Sequence, residues 1–329
     1  MRPAHRAGEV DLRPDIELER EIAVGAWLNP PDTASAGYAP GRRRALTLLA
    51  TLSLLLLAAG ILVQGSIWDR VWILALAAGQ APWPVQMFWS SLTVAGFGWS
   101  CFILLLAADR RDGALVALMG PVVLFTSLVS YGLKQWLAVT RPAGSDIGGA
   151  LAVVGERIQG LGSTPSGHAL AAGATAALLV FWFGSSPRLR PACWAIGLLG
   201  AAVAMSRVMV GAHWPSDVLL GMAVGVGTVL AVLAFVAMGP FAALWQALAQ
   251  ASASPRGQRR VAAVEIIGVL GLLSTPTGYP LGWPMEGVLV LLGLASAGLR
   301  WREARAQEAE AAVAETPASP GSGRGAGRG

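Results

Sequence analysis

The residues able to do chemistry in this chain fall into three short polar segments, each at the end of a long apolar run. One holds Ser206-Arg207 followed by His213 and Asp217. A second is Pro165-Ser166-Gly167-His168, and the third runs from Lys134 to Arg141-Pro142. Of the three histidines, His168 and His213 lie in these segments and His5 lies in a polar tail. Ionisable groups at the edge of a membrane span are costly to place, so a functional site is their default reading. Arg141 and Arg207 offer planar forks that match phosphate oxygens in bidentate fashion, and Lys134 adds a point charge. Ser166 and Gly167 open an apolar run just after Pro165, where the free N–H groups of a helix start bind anions. Together these make a basket the size of a phosphate. His213 has Asp217 four residues on. That carboxylate can accept from one imidazole nitrogen, fix the tautomer and leave the other nitrogen free to attack. His168 is then suited to act as general acid on a leaving group. Phosphoryl transfer needs positioning and charge stabilisation above all, and this inventory contains both.

Membrane helices must position these segments. The chain is 54% apolar and only 13% charged, whereas a soluble domain carries about 25% charged residues. With its long uncharged runs, the composition indicates an all-α, polytopic helical bundle in the bilayer and not a large soluble core. Open backbone edges are excluded in lipid, and the runs are too long and uniform for barrel strands. The formal charge of +5 sits mostly on arginines in loops and tails, which reads as a topology signal and not as a nucleic-acid patch. Cys101 and Cys193 each lie within an apolar run and imply no disulfide framework. No Cys/His spacing resembles a zinc site, so neither metal nor cofactor is expected. A cleavable signal peptide is not expected either, because the first apolar run follows a long polar segment.

Four segments are expected. Residues 1–41 read as a polar, largely disordered cytoplasmic tail, with a short helix over Asp15–Glu21 as a minor element. Residues 42–238 hold six spans, at about 45–66, 87–107, 113–133, 166–183, 191–205 and 218–238. The tryptophan-containing stretch 67–86 suits an interfacial or re-entrant piece. Residues 239–300 read as a cytoplasmic linker and a helical hairpin of two short apolar pieces, about 261–273 and 287–299, and 301–329 as a disordered tail. Arg42-Arg43-Arg44 before the first span places the N-terminus in the cytoplasm by the positive-inside rule. With alternating spans, Lys134, Arg141, Ser166, His168, Arg207, His213 and Asp217 all fall on one non-cytoplasmic face. Chance does not readily put so many scattered polar residues on one side.

The three segments resemble the signature motifs of the type 2 phosphatidic acid phosphatase superfamily. The motifs are Lys134 with Arg141-Pro142, Pro165-Ser166-Gly167-His168, and Ser206-Arg207 with His213 and Asp217. All three are complete, in order and at span edges, over residues 45 to 238. The resemblance implies a six-helix membrane phosphatase working without metal through a phosphohistidine on His213. By the same resemblance His168 protonates the leaving group and Asp217 orients His213. Lys134, Arg141, Ser166, Gly167 and Arg207 hold the phosphate. The implied substrate is a membrane lipid phosphate: phosphatidic acid, phosphatidylglycerol phosphate, a polyprenyl diphosphate or a lipid A phosphate. A bacterial inner membrane with a periplasmic site is the expected setting.

Each residue also has a plain explanation. Lys134 alone is an ordinary snorkelling lysine, Ser166 and Asp217 are ordinary helix-start residues, and a single histidine is more often structural than catalytic. These explanations fail to account for the joint spacing. Two other functions use the same inventory. One is phosphotransfer from His213 to a second lipid, which an acceptor assay separates from hydrolysis. The other is a non-catalytic lipid-binding or transport protein, which would be expected to have lost His168, His213 or Asp217. Vanadium haloperoxidases share the family's fold but are soluble, unlike a chain with these spans. Trp136, Trp214 and Trp283 read as interfacial belt residues, with the alternative that Trp214, beside His213, lines the substrate entrance. Gly221, Gly225 and Gly227 read as close-packing positions, and Glu265 and Glu286 as isolated acids.

Overall fold

Long uncharged runs can satisfy their backbone in lipid only by coiling, and every regular element among the described residues is a helix. The computed structural model describes residues 40–109, 113–184 and 187–314. The expected N-terminal tail, the charged turn residues 110–112 and the last part of the C-terminal tail lie outside the described residues.

In chain order the helices are α1 (Pro40–Val63), α2 (Ile67–Leu76), α3 (Trp83–Ala95), α4 (Gly98–Ala108), α5 (Ala114–Leu137) and α6 (Gly167–Phe183). They are followed by α7 (Arg190–Met209), α8 (Pro215–Val236), α9 (Gly239–Ala253), α10 (Pro255–Ser274) and α11 (Trp283–Ala314). By length and composition α1, α5, α7, α8 and α11 can each cross a membrane, so the chain is an integral membrane protein. The span expected at 87–107 is broken: α3 and α4 meet at an angle of 67° around Gly96-Phe97. α6 is apolar but only 17 residues long. At about 1.5 Å per residue it is shorter than a bilayer's hydrocarbon core.

Three expectations about the C-terminal part change. The pieces expected at 261–273 and 287–299 are the middles of longer helices. Ser254 caps α10, its hydroxyl accepting from the Gly257 N–H at 3.1 Å, and Pro255 takes the first helical position, where it loses no hydrogen bond. α11 continues to Ala314 instead of stopping near residue 300, because the alternating Glu, Arg and Ala residues there are strong helix formers. α9 occupies much of the expected linker.

α8 is the hub of the half that carries the three motifs, packed most extensively against α6 and α1, while α10 and α11 pack on each other. Glycines permit the α6–α8 crossing. A Cβ at Gly225 would stand 2.2 Å from the Leu170 carbonyl oxygen, and one at Gly221 would stand 2.7 Å from that of Ser166. Both obstacles are backbone, which cannot swing aside. Gly225→Ala is therefore expected to force the helices apart at about 1–3 kcal/mol, lowering the melting temperature in detergent. Gly227, whose nearest neighbour would be the Ser53 hydroxyl at 3.4 Å, should tolerate alanine far better.

Away from the motifs the bundle is closed by an ionic cluster. Arg300, only 1% exposed, donates through Nε to Glu265 Oε1 at 3.1 Å and through Nη1 to Gln258 Oε1 at 2.6 Å. Nη1 also reaches Asp109 Oδ2 at 3.3 Å, and Nη2 reaches the Asp109 carbonyl at 3.2 Å. Ser296 Oγ donates to Glu265 at 2.7 Å. Glu265 is thus a partner and not an isolated acid. Arg300 is a buried clamp joining α11 to α10 and the end of α4, and not a solvated topology charge. Glu286 too has a partner, accepting from Thr277 Oγ1 at 3.1 Å.

Candidate active site

The three motifs meet where α5, α6, α7 and α8 have their ends. Lys134 is in the last turn of α5, Ser166 and Gly167 open α6, Arg207 is in the last turn of α7, and Asp217 is in the first turn of α8. His213 stands in the short link between α7 and α8, and Arg141 starts the long loop between α5 and α6. Helices end here because the sequence ends them: Gly211 takes a φ of +76° after α7, and Pro215 starts α8.

His213 is 2% exposed and Asp217 is fully buried. The imidazole Nδ1 lies 3.2 Å from Asp217 Oδ2. That oxygen also accepts from the Trp214 N–H at 2.9 Å and from the Ser163 hydroxyl, and Thr164 Oγ1 donates to Oδ1. A carboxylate bound by so many donors is held ionised and still. An N–H on Nδ1 then leaves Nε2 unprotonated, and it accepts from Arg141 Nη1 at 3.2 Å. Burial pushes the His213 imidazole down to about 4, and the Arg207 and Arg141 charges push the same way. The Asp217 carboxylate opposes them and loses. At neutral pH the ring is therefore uncharged.

The cationic side of the site is under-partnered. Arg207 is 2% exposed, and its Nε and Nη1 have no hydrogen-bond acceptor among the described residues. Lys134 Nζ donates to the Gly162 carbonyl at 3.0 Å, and Arg141 Nη1 also reaches the Ala212 carbonyl at 3.3 Å. His168 has a buried Nε2 without a partner and stacks edge-to-face on Phe97 at 5.3 Å. Arg207, His213, Lys134 and Arg141 are its electrostatic neighbours. Buried unpaired donors are costly unless something accepts from them. An anion among Arg207, His168 and Arg141 would. At the start of α6, a Cβ on Gly167 would meet nothing within 4 Å, so the backbone there is open to a ligand. Ser166 is spent differently: its N–H donates to the Asp217 carbonyl at 3.0 Å and its hydroxyl caps α6 by accepting from Ala169 N–H. Its O–H hydrogen is still free to donate. Among the described residues no group of three or more His, Cys, Asp or Glu side chains could hold a metal ion.

Several supporting residues escape a reading of the motifs. Ser163 and Thr164 directly precede Pro165 and could have been suspected as hydroxyls beside a motif. Asp69 on α2 had no such signal. It is 4% exposed and accepts from Ser216 N–H at 2.8 Å, from Ser216 Oγ at 2.6 Å and from Gly65 N–H at 3.2 Å. It thus caps α8 from outside and fixes the turn that carries His213 and Asp217. Trp214 is not a belt residue but a buried strut, donating from Nε1 to the Thr140 carbonyl at 2.8 Å. Trp136 and Trp283 are exposed, at 80% and 65%.

No curated protein matches the chain. A solved structure with partial similarity is that of the first transmembrane PAP2-type phosphatidylglycerolphosphate phosphatase from Bacillus subtilis. Its identity is 23%, the alignment covers 58% of this chain and 94% of that one, and the TM-score is 0.42. Residues 115–241, which contain all three motifs, match the family model of the PAP2 superfamily, a similarity that spans less than half of the chain.

Proposed function

We propose that this protein is a membrane lipid phosphatase that removes a phosphomonoester or diphosphate phosphate through a phosphohistidine on His213. The observation that carries the reading is the polarised His213 ring, tied to Asp217 on one side and unprotonated toward Arg141 on the other. In the first step the Nε2 lone pair attacks phosphorus and the bond to the lipid oxygen breaks. His168 gives its proton to that oxygen, and Asp217 balances the positive ring that results. In the second step His168 takes a proton from water as the water oxygen attacks phosphorus, and the bond to Nε2 breaks. Lys134, Arg141 and Arg207, with the Gly167 end of α6, neutralise the charge on the phosphoryl oxygens.

The site lies at helix ends, where a lipid head group would sit with its tails still in the bilayer. The arginines at the start of α1, Arg42 to Arg44, favour an N-terminus in the cytoplasm and a site on the opposite face. The candidate substrates are those named above: phosphatidic acid, phosphatidylglycerol phosphate, a polyprenyl diphosphate and a lipid A phosphate. The test is inorganic phosphate release by purified protein in detergent and excess chelator, from each of these lipids. Release that persists in chelator is expected, and the ranking names the substrate. No release from any of them, together with no binding of orthovanadate by the folded protein, would overturn the reading.

A further inference from the structure

The hairpin of α10 and α11 lies outside the family segment, yet its connecting loop reaches the candidate site. The loop is docked by backbone. Gly278 O accepts from Glu156 N–H at 2.9 Å, and Val154 N–H donates to Val210 O at 3.0 Å, just before His213. Gly155 makes the approach possible, with a φ of +74° and room for no Cβ, since one would stand 2.5 Å from Gly278 O. From this loop Tyr279, 2% exposed, lays its ring on the Arg207 guanidinium, 5.1 Å from its carbon to the ring centroid. The ring also belongs to the apolar cluster formed with Val94, Val154, Val210, Ala212 and Leu272.

Packing and the cation–π contact require only a ring, and phenylalanine would supply both. The hydroxyl is what needs explaining. It is buried and its O–H hydrogen has no acceptor among the described residues, while the Arg207 guanidinium beside it is placed to donate to its oxygen and Arg141 is a further electrostatic neighbour. Buried hydroxyls normally find partners. Here Arg207, whose Nε and Nη1 lack acceptors, lies on the ring, and His168, whose Nε2 is also unpaired, is an electrostatic neighbour of Arg207; both can donate to an anion.

We propose that Tyr279 is a phosphate-contacting residue, its hydroxyl donating to a phosphoryl oxygen already held by Arg207, so that the C-terminal hairpin completes the site. The inference rests on the phosphatase reading. It makes the hairpin part of substrate binding and gives the stacked ring a second task, holding the Arg207 fork flat toward the phosphate.

Tyr279→Phe keeps the ring and removes the hydroxyl, so orthovanadate inhibition and lipid phosphate hydrolysis are compared with wild type alongside the melting temperature. A hydrogen bond to a charged group translates to about a 10- to 100-fold loss. The expected result is vanadate affinity and kcat/KM lower by that factor with an unchanged melting temperature, and recovery of neither at higher salt. Wild-type vanadate affinity and kcat/KM in Tyr279→Phe would overturn the contact and leave the phosphatase reading standing. A wild-type protein that neither hydrolyses the lipids nor binds vanadate would overturn both. A fall in melting temperature without a change in vanadate affinity would show a packing role and also overturn the contact.

Discussion

His213→Ala is expected to abolish phosphate release, a loss of about 10⁴-fold or more, since removing the nucleophile of a covalent mechanism leaves only binding and charge stabilisation. Orthovanadate binding should persist in weakened form, because Arg141, Arg207 and Lys134 remain. Asp217→Asn should cost about 10²- to 10⁴-fold, as it removes the acceptor that fixes the Nδ1 proton. A pulse of labelled substrate should leave acid-labile, base-stable label on wild type and none on His213→Ala. Label retained in the variant would move the nucleophile elsewhere. The pH dependence has a defined sign. The reactive form is the neutral ring, so activity falls as pH drops through the His213 pKa, and burial has moved that pKa down to about 4. After allowing for the substrate's own ionisation, kcat/KM should hold down to about pH 5, well below the ordinary histidine value of about 6.5. An acidic limb at 6.5 would contradict a buried His213 nucleophile. Stability has the same direction: protonating this ring is harder in the folded than in the unfolded chain, so stability declines as pH falls from about 6.5 toward 4.

Arg300→Ala is expected to be the most destabilising single change away from the site. It strips the cation from Glu265 and Asp109, both buried, and takes away donors to Gln258 and two carbonyl oxygens. Removing one side of a buried ion pair costs about 3–5 kcal/mol, because the abandoned charge has no water to turn to. Thermal unfolding in detergent should register a drop of that order. Replacing Arg300 and Glu265 together by Met and Leu should recover part of it, since well-packed apolar side chains can substitute for such a cluster. A single variant with wild-type stability would show that α11 does not depend on the clamp. The hairpin carries Tyr279 to the phosphate site, so a loosened clamp should also lower catalytic activity although Arg300 touches nothing reactive.

The motif residues and the membrane helices were legible in the sequence for separable reasons. Span-length apolar runs report on the bilayer, which leaves a chain no alternative to helices. The triplet of Lys134-Arg141, Ser166-Gly167-His168 and Arg207-His213-Asp217 shows by spacing alone that polar groups gather at helix ends. What spacing does not carry is any partner distant along the chain. Asp69 caps α8 across 147 residues, Arg300 reaches Asp109 across 191, and Tyr279 lies on Arg207 from a segment beyond the family match. Nor could hydropathy locate the 67° break between α3 and α4. An apolar run reads the same whether straight or bent, and this bend places Phe97 against His168.

The sequence by itself therefore determined the all-helical membrane class and the residues that gather at the phosphate-sized site, because bilayer solvation and local helix-end chemistry act over a few residues at a time. Only the tertiary structure decided which nitrogen of His213 is unprotonated, which donors stand without acceptors, and that the C-terminal hairpin closes the site. Those outcomes depend on which helix ends meet, and that is set by packing between segments far apart in the chain.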